Sequence, residues 1–268
     1  MPAIDPDHLA DLELLRECAA EAGAIAMSFF RKDPEVWMKE GDSPVTEADL
    51  AVDRFLRETL LAARPDYGWL SEETADDKER LNARRTFVVD PIDGTRAFMA
   101  GRDVWCVSVA VVEEGRSIAG ILDCPARNEV FEAVPGSGAR MNGTALSVSA
   151  GRDNPVIGGP KWMVENLDSD LRGRLVAAAH VPSLAYRLAM VADGRLDGTF
   201  VKKDSHDWDI AAARLILAEA GGRLINRAGT QPHVAGPDPR HGALAAGSGT
   251  LLPALHAALQ KIRECPAT

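Results

Sequence analysis

The sequence predicts a mixed α and β protein in which two sheets are flanked by helices. Three observations carry that expectation. The N-terminal stretch shows apolar residues at helical spacing, the middle is a run of strand-like segments joined by tight turns, and after about residue 150 short strands alternate with helical stretches. The change of pattern divides the chain into an N-terminal α+β half, residues 1–148, and a C-terminal α/β half, residues 149–268.

From about Asp7 to Arg31, Leu9, Leu12, Leu15, Ala19, Ala22, Ile25, Ala26 and Phe29 line one stripe of an amphipathic helix. A short extended piece around Trp37 and a loop follow. A second helix then opens at Thr46, with Asp49 three residues on in the manner of a capping box, and Pro65 just beyond its end. "RRTFVVD" reads as a strand, and "WCVSVAVVEEGRSIAGILD" as two strands around the turn Glu114-Gly115. Asn142-Gly143 marks a further hairpin. The centre is therefore expected to be antiparallel. Beyond it, "NPVIGG" is strand-like, whereas "SLAYRLAMVADG" and "WDIAAARLILAEAGG" are helical. No tandem repeat or long linker separates the halves, which predicts an extensive interface between them.

A chain of 268 residues with 46% hydrophobic and 26% charged residues can bury a core without disulfides. The net charge of -10 argues against nucleic-acid or anionic-membrane surfaces, but not against a small anion held locally by cations. Cys18, Cys106, Cys124 and Cys265 show no paired spacing and read as core residues of a reducing compartment. The N-terminal "MPAIDPDHLADLELL" lacks the basic and apolar regions of a secretory signal, and no apolar run approaches a membrane span, so a cytoplasmic protein is expected. Gly158-Gly159 lacks the third spaced glycine of a dinucleotide site, and no Gly-x-Ser-x-Gly elbow occurs. His206, His233 and His241 lack zinc-site spacing and are expected at surface or substrate-rim positions.

The acidic residues hold the chemistry. In "VVDPIDGTRAF" an apolar strand runs into Asp90 and Asp93, with Pro91 between them and Gly94-Thr95 behind. Tight-turn chemistry accounts for these residue types. So does a cation site, in which both carboxylates and the Ile92 carbonyl turn toward one point and a short helix ending at Gly101 offers its first N–H groups. "RLDGTF", from Arg195 to Phe200, repeats Asp-Gly-Thr without the preceding Asp-Pro, and a turn entering a strand explains it. Glu72 and Glu73 in "WLSEET" read alone as a solvated rim, continued by "ADDKER". Asp209 reads alone as a first-turn acid complementing a helix dipole, and Asp49 as a cap.

Taken together, Asp49, "SEE", "DPIDGT" and "WDIAAA", in that order, with "EAGG" closing the last helix, resemble the inositol monophosphatase family of magnesium-dependent, lithium-sensitive phosphatases. The resemblance runs from about Leu9 to Gly249. It implies a layered αβαβα sandwich and two to three Mg2+ ions per active site, with most metal ligands in the N-terminal half. Glu72, Asp90 and the Ile92 carbonyl would hold the first ion, and Asp90, Asp93 and Asp209 the second. Glu72 would help a third through water. Gly94 and Thr95, beside Asp93, would bind the phosphate, and Thr95 with Asp49 would orient the attacking water. The resemblance also implies a homodimer.

One departure bears on the substrate. Relatives acting on inositol phosphate place a glutamate shortly before Trp-Asp, whereas this chain has Lys202 in "FVKKDSHDWD". Arg187 lies where relatives acting on 3′-phosphoadenosine 5′-phosphate carry a basic residue. A solvated edge explains Lys202 and Lys203 equally well. The resemblance implies a small phosphate ester as substrate, ranked 3′-phosphoadenosine 5′-phosphate, inositol monophosphate, then histidinol phosphate or fructose 1,6-bisphosphate. The competing class is a catalytically silent, metal-dependent binding protein.

Overall fold

The computed structural model describes residues 4–32, 34–38 and 44–262. Helix α1 (Pro6–Phe29) is opened by Asp5, whose side chain accepts from the Asp7 N–H, and by Pro6, which fits the first turn because no donor is needed there. Strands β1 (Val36–Met38) and β2 (Pro44–Thr46) form a small antiparallel ribbon leading into α2 (Glu47–Ala63). The expected capping box is present, with Thr46 and Asp49 each satisfying the other's backbone N–H.

The larger sheet has seven strands in chain order, β3 (Gly68–Ser71), β4 (Arg85–Asp93), β5 (Cys106–Glu113), β6 (Arg116–Cys124), β7 (Glu129–Ala133), β8 (Arg140–Met141) and β9 (Thr144–Ala145), with the short α3 (Thr95–Met99) after β4. Both hairpin turns lie where expected. Glu114-Gly115 and Asn142-Gly143 each place two consecutive residues at positive φ, the twist that a two-residue hairpin needs. The sheet departs from the antiparallel expectation at its edge: β3, directly before Glu72 and Glu73, pairs parallel with β4. The connection between them crosses the sheet end, where buried Arg80 donates to Asp76 and to the carbonyls of Ala235 and Gly236. A loop-like composition thus concealed a short strand.

The second sheet is mixed, as its alternating pattern predicts. The elements of this part of the chain are β10 (Val156–Gly158), α4 (Lys161–Val164), α5 (Ser169–Arg174), β11 (Val176–Ala177), α6 (Leu184–Ala192), β12 (Gly198–Val201), β13 (Ser205–His206), α7 (Asp207–Glu219), β14 (Arg223–Ile225), β15 (Arg240–His241), β16 (Leu244–Gly247) and α8 (Leu251–Lys261), with β13 and β15 paired antiparallel apart from the sheet. The strand order is β11-β10-β12-β16-β14, parallel among the first three and antiparallel thereafter.

Stacking these elements gives an αβαβα sandwich. α1 and α2 cover one face of the larger sheet, α6 and α7 lie between the two sheets, and α4 and α8 cover the outside. β4 is consequently buried along its whole length, and α7 is buried almost all round. Cys18, Cys106 and Cys124 are buried free thiols, and Cys265 lies outside the described residues. No helix among the described residues is long and apolar enough to cross a membrane.

Gly23 of α1 crosses β6 so closely that a Cβ there would lie 2.1 Å from Asp123 Oδ2. Burial pushes the Asp123 carboxyl up to about 7. A raised folded-state pKa contributes stability at low pH that is lost as pH rises through that value. Asp123→Asn should therefore gain stability relative to wild type, by up to about 4 kcal/mol, between pH 4 and 7 and stay level above. Urea midpoints across that range check it; a constant difference would show that the carboxyl does not titrate with folding.

Candidate active site

The site is built at the C-terminal end of β4, where the ladder breaks. In a regular strand, residues three apart point to opposite faces. Here Asp90 pairs with Ser108 and Asp93 with Cys106, so β4 uses one more residue than β5 over the same span. Pro91 has no N–H to give the ladder, and the resulting bulge brings the two aspartates into phase. Asp209, in the first turn of α7, completes a group of three carboxylates with one oxygen each within 4.8 Å of one another. Glu72 directly follows β3, and its N–H donates to the Val89 carbonyl at 3.2 Å. That bond extends the β3–β4 pairing and sets Glu72 at the same end of the sheet.

Each acid is held by donors from its own surroundings. Asp90 Oδ1 accepts from the Ile92 N–H at 3.1 Å, and Asp209 Oδ2 from the His206 N–H at 2.6 Å. Asp93 accepts from the Ser183 hydroxyl at 2.5 Å and from the Leu184 and Ala185 N–H groups at 3.1 and 2.5 Å, all at the start of α6. Asp49 carries two duties: Oδ2 accepts from Thr46 N–H and Oγ1 at 2.8 and 2.6 Å, while Oδ1 lies 3.3 Å from Thr95 Oγ1. Thr95 Oγ1 also lies 3.1 Å from the Ile92 carbonyl. Gly94 has φ +102°, and a Cβ there would come within 3.1 Å of Ser183 Cβ and the Val104 carbonyl. Glycine is required on both counts.

Crowding buried carboxylates is electrostatically costly. Two of them 4 Å apart repel by about 4 kcal/mol at an effective dielectric of 20. Burial, followed by the charges of Glu72, Asp93 and Asp209, drives the Asp90 carboxyl well above the usual range. Burial and then Asp93 do the same to Asp209, opposed by the His206 N–H and the charge of Lys202. Burial raises Asp93 to about 6 despite its three donors at α6. Such a cluster exists with protons or with cations. Its oxygen-only donors suit a hard divalent ion, so the residues fit the magnesium expected from the sequence.

The structure therefore brings Asp49, Glu72, Asp90, Ile92, Asp93, Gly94, Thr95 and Asp209 to one end of the larger sheet. Lys202 is exposed, and its charge reaches Asp209. Arg187 donates to the Val181 and Phe200 carbonyls at 3.2 and 3.3 Å, while its buried Nε has no partner. The Asp197 of "RLDGTF" accepts from Val156 N–H and Arg152 at the start of β12, in keeping with a purely structural turn. His241, expected at a surface or substrate-rim position, is half-buried. Its Nε2 lies 2.7 Å from Oδ1 of buried Asp207, beneath the loop that Asp207 also holds through Ala235 N–H. His206 stacks on Trp208 with ring centroids 4.4 Å apart. Sequence reasoning missed Ser183, although a serine opening "SLAYRLAM" has the form of a helix cap.

The comparisons with known proteins agree with this geometry. Residues 10–264 match the model of the inositol monophosphatase family. The chain is 35% identical to a histidinol-phosphatase of Chlorobaculum parvum, covering 84% of this chain and 89% of that protein. It is 35% identical to an inositol-1-monophosphatase of Rhizobium meliloti (70% and 74%) and 32% identical to the 3'(2'),5'-bisphosphate nucleotidase CysQ of Aggregatibacter actinomycetemcomitans (84% and 87%). The crystal structure of extragenic suppressor protein suhB from Bartonella henselae superposes with a TM-score of 0.80 at 27% identity, covering 94% of this chain and 99% of that one. With its sandwich, its clustered carboxylates and a match along nearly its whole length, this chain belongs to the inositol monophosphatase family of phosphatases.

Proposed function

We propose that the protein is a magnesium-dependent phosphomonoesterase whose N-terminal half supplies Asp49, Glu72, Asp90, Ile92, Asp93, Gly94 and Thr95 and whose C-terminal half supplies Asp209. The observation that carries this reading is the approach of Asp90, Asp93 and Asp209 to within 4.8 Å beside the Thr95–Asp49 pair. Magnesium held by Glu72, Asp90, the Ile92 carbonyl, Asp93 and Asp209 would neutralise phosphate charge, acidify the attacking water and stabilise the departing alkoxide. The chain's own groups do the positioning. Thr95 has one hydroxyl proton, and donating it to Asp49 Oδ1 leaves its lone pairs free to accept from water. Thr46 clamps the other oxygen of Asp49, so the direction of that pair is fixed. Gly94 and Thr95 offer backbone N–H groups to the phosphate.

The substrate we favour is 3′-phosphoadenosine 5′-phosphate, converted to AMP and phosphate. Lys202 supports it: a cation stands where an inositol phosphatase has a hydroxyl acceptor, and its charge acts on Asp209. CysQ is among the relatives. A second reading, histidinol phosphate, is favoured by the 35% identity to a histidinol-phosphatase. Both readings place the intact acid set in catalysis and disfavour a silent binding protein.

Asp90→Asn should lower the turnover number by at least about a thousandfold, because it removes a charge at the shared point of the cluster. In chelating buffer at pH 8 the same variant should melt higher than wild type, since a neutral amide relieves the repulsion among buried acids. Full activity in that variant would refute the catalytic reading. Lys202→Glu should reduce kcat/KM for 3′-phosphoadenosine 5′-phosphate about tenfold to a hundredfold while sparing inositol monophosphate, as expected for one lost charge-assisted contact. Phosphate release from both esters, and from histidinol phosphate, measures it. Equal losses on all three would assign Lys202 a structural role, and no loss on any would place it outside the site.

A further inference from the structure

The proposed magnesium site needs Asp93 to hold one rotamer, and the structure shows what imposes it. Ser183 is wholly buried at the N-cap of α6, a helix of nine residues. Its Oγ accepts from the Tyr186 N–H at 3.1 Å, as a capping serine does, and donates to Asp93 Oδ2 at 2.5 Å. The next two N–H groups also go to Asp93, Leu184 to Oδ1 at 3.1 Å and Ala185 to Oδ2 at 2.5 Å. A carboxylate offers about four lone-pair directions. Both on Oδ2 and one on Oδ1 are engaged, which leaves a single direction on Oδ1 for anything shared with Asp90 and Asp209.

We infer that Ser183 is a positioning residue for Asp93. Through it, the first turn of α6 locks a carboxylate of β4 and aims its remaining lone pair at the acid cluster. The lock also joins the two halves of the chain, because β4 belongs to the larger sheet and α6 to the layer between the sheets. It gives Gly94 a second reason to be glycine: a side chain there would meet Ser183 Cβ at 3.1 Å and push the hydroxyl off Asp93. Cys106 Sγ, 3.9 Å from Asp93 Oδ2 and 3.7 Å from Ser183 Oγ, closes the pocket with a soft, neutral neighbour. Ser183 acts on the site through Asp93. Its effect is the cost of orienting Asp93, which without the hydroxyl must be met from the binding energy of the cation. This inference rests on the magnesium reading above.

The test is a calorimetric magnesium titration of the full-length protein without substrate, for wild type, Ser183→Ala, Ser183→Thr and Ala189→Gly. Loss of one charge-assisted hydrogen bond should weaken magnesium binding about tenfold in Ser183→Ala, whereas the threonine hydroxyl should restore it to within about threefold. Ala189→Gly weakens α6 without reaching Asp93, so it should lower the melting temperature yet leave the isotherm unchanged. An unchanged isotherm in Ser183→Ala, or an equal shift in Ala189→Gly, would overturn the positioning role while leaving the magnesium reading intact. A wild-type protein that binds no magnesium would overturn both.

Discussion

Two buried carboxylates of β4 meet the half-buried Asp209 at one point because β4 cannot remain regular past Asp90. Pro91 removes a ladder donor, the bulge adds a residue, and two side chains that would diverge come into phase. Nearly everything else at the site serves to support that arrangement. β5 backs it, α6 and α7 bring their first turns to it, and Glu72 follows a strand whose parallel pairing with β4 ends beside it.

That geometry is unfavourable without compensation. Buried acids that repel one another are held by donors from three different elements: the Ile92 N–H for Asp90, the His206 N–H for Asp209 and the opening of α6 for Asp93. The surrounding sandwich can bear the cost because the strands and helices beneath the site are buried on both sides. The same packing makes the charges costly and holds them still. A cation that enters finds ligands already placed, which is how local destabilisation becomes affinity.

Much of this was legible in the sequence. Helical spacing located α1, the Thr46–Asp49 pair and Pro65 bracketed α2, and two turn dipeptides located the hairpins. The acid set was legible only as a combination, because each member alone has an ordinary turn, rim or capping explanation. Asp49 shows why: it is a cap and also faces Thr95, one oxygen for each. What stayed hidden was long-range. β3 is four residues long and runs straight into a charge-rich loop, and that loop, the connection to its parallel partner β4, is tied down by Arg80 donating to distant carbonyls. The Ser183–Asp93 contact spans 90 residues, and the His241–Asp207 contact spans 34. Neither leaves a local periodicity to read.

The central claim is that the clustered acids form a cation site, and it is tested most directly by counting the protons displaced when magnesium binds. Carboxyls driven above their usual range by burial and mutual repulsion must give up protons to accept an ion. Calorimetric titration of wild type in buffers of differing ionisation enthalpy measures that release. The account predicts saturable magnesium binding with net proton release at pH 6, near the raised value of Asp93. Absence of binding, or binding with no proton release at that pH, would contradict it.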